Sequence, residues 1–100
     1  MRDKEQGGEK RVDEALEGYL KRTRLKRRLR QASVVPEWAE LVGEEIAKVT
    51  TPHHVTRDGV LIVSVKSASW MQELQLMSPE ILRKLGAHGK GIRRIVWRAE

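Results

Sequence analysis

The sequence predicts an α+β domain in which helices cover one face of a three-stranded sheet, in the order helix, helix, strand, strand, helix, strand. Three observations carry this. Apolar residues recur at helical spacing before residue 50 and again from Trp70 to Leu85. The run Val60-Leu61-Ile62-Val63-Ser64-Val65 is mostly β-branched and follows the turn pair Asp58-Gly59. A second alternating run, Arg94 to Arg98, lies beyond the last helix. At 100 residues the chain suits one core and leaves no room for a second lobe over a deep substrate cleft.

Residues 1–9, charged and carrying a Gly pair, offer nothing to bury and read as a disordered lead-in to a single domain over 10–100. Val12, Ala15, Leu16, Tyr19 and Leu20 then form an amphipathic helical stripe. Leu25 and Leu29 fall out of its phase, which predicts a bend or short loop near Thr23 and a second helix after it. Pro36 restarts the chain, and a helix to about Val49 points Trp38, Leu41, Val42, Ile46 and Val49 inward, with Glu37, Glu40, Glu44 and Glu45 mostly outside. In the hairpin that follows, a two-residue turn would separate Val55 from Leu61, Val63 and Val65. A three-residue loop, 57–59, pairs Val55 with Leu61 and gathers all four on one face, so that register is expected.

After Lys66 the period changes to that of a helix, with Trp70, Leu74, Met77, Ile81 and Leu85 in one stripe. Ser67 or Ser69 can cap its start, Gln72 closing a box on Ser69. Ser78-Pro79-Glu80 implies that this helix is kinked or split at Pro79. Gly86 reads as its C-cap, and Arg94, Val96 and Arg98 alternate with Ile95 and Trp97 in a half-buried last strand. The expected core is Trp38, Leu41, Ile46, Leu61, Val63, Val65, Trp70, Leu74, Ile81 and Ile95.

The pattern "PEWAELVGEEIAKVTTP", "DGVLIVSVKSASWMQELQLM", "ILRKL" and a closing "IRRIVWR" resembles the DciA family of bacterial replicative-helicase loaders over roughly residues 12 to 98. Trp38, Gly43, Pro52, Asp58-Gly59, Trp70 and Leu74 carry the likeness. The resemblance implies a KH-like fold, contact with a DnaB-type helicase, and DNA binding that helps the ring onto single strands, without catalysis. Many members carry a flexible extension beyond this domain, which this chain is expected to lack.

Charge bears on the same question. The net charge of +6 is segregated: residues 1–35 carry 11 basic and 6 acidic side chains, residues 36–80 carry 3 and 7, and residues 81–100 carry 6 and 1. Two basic ends flanking an acidic middle favour polyanion contact at the ends and a different partner in the middle. The densest cluster is Lys21, Arg22, Arg24, Lys26, Arg27, Arg28 and Arg30. With no acidic side chain among them, their repulsion is relieved by an external anion, and nucleic-acid phosphate is the expected one. Lys90, Arg93 and Arg94 extend the candidates into the other basic end. The acidic middle supplies the protein-partner candidates Trp38, Glu40, Glu44 and Trp70. A core role is favoured for both tryptophans; the alternative is that one indole edge stays exposed as an anchor.

Other chemistry has little to stand on. There is no cysteine, so disulfides and thiolate metal sites are excluded. His53 and His54, adjacent on a strand, should point to opposite faces and not converge on a metal. Gly86-Ala87-His88-Gly89 has the letters of a KH GxxG loop but joins helix to strand, and no catalytic set or cofactor fingerprint can be assembled. No apolar run approaches the roughly 20 residues of a membrane span, and no signal peptide opens the chain, so a cytoplasmic, nucleoid-associated location is expected. The expected function is a non-enzymatic DNA-replication accessory that binds single-stranded or duplex DNA and the replicative helicase, with no cofactor or small-molecule substrate. The alternatives are a general RNA-binding module of KH-like shape and a small enzyme with an unrecognised site.

Overall fold

The computed structural model describes residues 2–100, with side chains from Asp13 onward. The elements are α1 (Arg2–Ala32), α2 (Trp38–Val42), α3 (Glu44–Val49), β1 (Thr50–Val55), β2 (Val60–Val65), α4 (Ala68–Ala87) and β3 (Arg94–Ala99). The sheet order is β1-β2-β3; β1 runs antiparallel and β3 parallel to the central strand, with α4 as the crossover. The helices cover one face, giving the expected KH-like α+β arrangement. The lead-in expected over 1–9, and Val12, lie outside the residues whose side chains are described.

The hairpin register follows from burial as expected. Val55 pairs with Leu61 across a three-residue loop closed by Thr56 N donating to Val60 O at 2.9 Å and Gly59 N to Thr56 O at 3.0 Å. Gly59 sits at φ 83, where a side chain would be strained. Leu61, Val63 and Val65 point into the core, where they meet Val34, Trp38, Leu41, Ile46, Leu74, Ile81, Leu85 and Ile95. Trp70 packs against this cluster while remaining partly exposed.

Two indoles brace the core, with Trp38 and Trp97 at 6.4 Å between ring centroids. The Trp38 indole N–H donates to Thr50 Oγ1 at 2.8 Å, whose hydroxyl donates to Ile46 O at 2.6 Å. Trp97 repeats the device on Ser78, whose hydroxyl donates to Leu74 O. Among the described residues each buried side-chain polar atom has a partner, as burial of an indole N–H demands.

Several local expectations are corrected. Helix α1 does not break near Thr23: the Thr23 hydroxyl donates back to Tyr19 O at 2.8 Å, and the helix continues to Ala32. The change of phase instead puts two apolar stripes on opposite sides, since nine residues from Leu16 to Leu25 turn the helix by about two and a half turns. The helix after Pro36 is divided into α2 and α3 at Gly43, whose φ of 94 and ψ of 158 only glycine adopts readily. Of the two outcomes open at Pro79, division does not occur; the proline lies inside one continuous α4. Ser67 precedes α4 without a side-chain cap. Its C-terminal glycine is Gly89 rather than Gly86: Gly89 N donates to Gly86 O and Lys90 N to Leu85 O, with Gly89 at φ 67, a Schellman motif.

The last correction concerns the histidines. Pro52 pairs with Val63 and His54 with Ile62, so His53 is the extra residue of a β-bulge, and both histidines oppose Ile62. They therefore share the face of the sheet opposite to that of Leu61, Val63 and Val65, where His53 Nε2 lies 2.8 Å from Ser64 Oγ.

Candidate nucleic-acid interface

The seven basic residues from Lys21 to Arg30 are all exposed on α1, as are its leucines Leu25 and Leu29, at 59% and 60%. This part of the helix leaves the domain with no core of its own to cover. One side-chain contact ties its base to the lead into β3, and close backbone approaches hold that lead against the hairpin loop. Gln31, 6% exposed, donates from Nε2 to Gly91 O at 3.1 Å. Arg93 N donates to Gly59 O at 2.8 Å. A Cβ on Gly59 would lie 3.1 Å from Gly91 O and 3.2 Å from Arg93 Cγ, so only glycine allows this approach.

The consequence is a gathering of arginines from segments far apart in the chain. Arg27 of α1, Arg57 of the hairpin loop and Arg93 before β3 line one crevice of about 420 Å³, with Asp58 the only carboxylate among its described lining residues. Arg93 and Arg94 line a neighbouring hollow of about 350 Å³ with Asp58 and Val60. Three guanidiniums against one carboxylate leave an excess of positive charge, and their planar donor geometry suits phosphate oxygens. Arg57 is absent from the sequence-derived candidates because a lone arginine in a hairpin has no local pattern; the glycines on either side of the approach were the available signal.

Not every basic candidate joins this surface. The Lys90 ammonium donates to Ser33 Oγ and to Glu37 Oε1, each at 2.7 Å, and its side chain is 11% exposed. It fastens the end of α4 to the α1–α2 junction. Among the partner candidates, Trp38 is 3% exposed with its N–H held by Thr50, so it supports its surface from beneath. Glu40 and Glu44 are exposed. Glu44, Glu45 and Glu73 line a groove of about 590 Å³ with Trp70 and Met77, and Lys84 is the one basic residue among those described there. That groove is the acidic counterpart of the arginine crevice. Among the described residues no three His, Asp or Glu side chains gather to hold a metal ion, and no helix is long and apolar enough to cross a membrane.

Comparison with known proteins gives this arrangement a lineage. A UPF0232 protein of Rhodococcus jostii is 39% identical over 57 residues, covering 57% of this chain and 30% of that protein. One of Mycolicibacterium paratuberculosis is 36% identical over 63 residues, covering 62% and 34%, and one of Mycolicibacterium smegmatis 33% identical over 60 residues, covering 60% and 30%. The chain thus spans about a third of the length of the curated relatives it matches. The family model described as "Dna[CI] antecedent, DciA" matches residues 11–96, nearly the whole domain, and the chain belongs to the DciA family.

Proposed function

We propose that this domain is a non-enzymatic accessory of DNA replication that holds DNA phosphates on its arginine surface and engages a DnaB-type replicative helicase through the acidic Trp70 groove, assisting helicase loading. Membership of the DciA family supports the replication setting. The observation that carries the DNA half is the convergence of Arg27, Arg57 and Arg93 on one crevice beside the basic stretch of α1. A solvated charge run needs no such convergence. Lys21, Arg22, Arg24, Lys26, Arg28 and Arg30 continue the contact along α1, and Arg94 continues it at the start of β3. For the helicase half, Glu44, Glu45 and Glu73 around a half-exposed indole complement a basic and apolar segment.

Phosphate contact has a quantitative signature, because each neutralised phosphate releases condensed counterions. Replacing Arg27, Arg57 and Arg93 with glutamine should flatten the dependence of log K on log salt by about 2 on single strands, at about 0.7 per contact. The loss should be nearly equal for unrelated sequences, since phosphate contacts carry no base information. An unchanged slope would reduce the crevice to a solvated patch, and a preference for RNA over DNA at equal salt would move the function to an RNA target.

A further inference from the structure

We propose that the cavity between α1 and the edge strand β1 receives unpaired bases of single-stranded nucleic acid, so that this domain distinguishes single strands from duplex. The inference rests on the nucleic-acid reading above and adds to it a site for bases. The cavity has a volume of about 550 Å³. Leu25 and Leu29 of α1 form one wall, Pro36 and Val55 another, and His53 and His54 stand at the strand.

Four features make this a base site. The leucines are 59% and 60% exposed and, four positions apart on one helix face, line the cavity together. The β-bulge sets both imidazoles on the same side of β1, and the contact of His53 with Ser64 fixes one ring in place. Planar imidazoles and apolar side chains are the surfaces on which unstacked bases settle. Finally, Arg28 borders the cavity and none of its described lining residues is a carboxylate, which favours an anionic strand there. A strand whose phosphates follow Arg24, Arg27 and Arg28 can turn its bases into the cavity; in a duplex those bases are stacked and paired. A basic protein segment would be repelled by the same arginines.

The test uses the whole chain with Leu29→Ala and His54→Ala together, both at exposed positions, so the core is untouched. Binding is measured over a range of salt to a single-stranded oligonucleotide, to the same sequence as duplex, and to a single strand carrying abasic sites. The variant should lose roughly tenfold in affinity for the single strand, the scale of a lost base stack, with an unchanged salt slope and unchanged duplex affinity. Wild type should bind the abasic strand as weakly as the variant binds the normal one. An unaltered single-strand affinity, an equal loss on duplex, or a loss of helicase capture alone would overturn the base site while leaving phosphate contact standing. Failure of wild type to bind any of the three would overturn both.

Discussion

The arginine crevice and the acidic groove are built in different ways. The groove draws on α2, α3 and α4, whose glutamates stand on helices that the core holds directly through Leu41, Ile46 and Leu74. The crevice joins α1, a hairpin loop and the lead into β3, held by backbone approach at Gly59 and Gly91 and by one glutamine. The first surface should therefore last as long as the core does. The second can be lost by a local change that leaves the core standing.

The largest expected effect removes that difference. Leu74 is fully buried on the inner face of α4, and Leu74→Ala should cost about 2 to 5 kcal/mol in chemical denaturation, taking both surfaces down together. A cost below about 0.5 kcal/mol would place Leu74 at the surface and undo the helix phase. Gly59→Ala is smaller and selective. A side chain at φ 83 against Gly91 O should cost about 1 to 3 kcal/mol, weaken DNA binding and spare helicase capture. Equal loss of both activities would mean that the two surfaces are not independent.

Lys90→Met is the smallest change and separates charge from contact. Loss of its paired hydrogen bonds should cost about 1.5 kcal/mol, because half-exposed Glu37 regains water. The salt slope of DNA binding should not change. A flatter slope would return Lys90 to the phosphate surface.

These cases also show how much could be read from the chain alone. The hairpin register was legible because only one loop length put Val55 beside Leu61, Val63 and Val65, and burial decided it. The phase of α4 was legible through Pro79 because Trp70, Leu74, Ile81 and Leu85 keep one stripe on both sides of it. The continuity of α1 was not, since a broken stripe signals a turn only in a helix that has a core to cover; exposed Leu16 and Leu25 belong to a helix that does not. The bulge at His53 was not legible, because nothing in the residues around Pro52 marks an extra residue in the alternation. At the site, the α1 charges were visible as a contiguous run. Arg57 was not, because its neighbours Arg27 and Arg93 reach it only through the folded contact of Gly59 with Gly91. Lys90 counted as one more basic residue until Glu37 and Ser33 were brought to it from more than 50 positions away.

The central claim, two independent surfaces of opposite charge with different partners, is tested most directly by a crossed measurement. The Arg27→Gln, Arg57→Gln, Arg93→Gln variant and a Glu44→Lys, Glu73→Lys variant are each assayed for DNA affinity at fixed salt and for capture of the replicative helicase. The arginine variant should lose DNA affinity and keep the helicase, and the glutamate variant should lose the helicase and keep or gain DNA affinity. Loss of helicase capture in the arginine variant, or full capture in the glutamate variant, would contradict the assignment of the two surfaces.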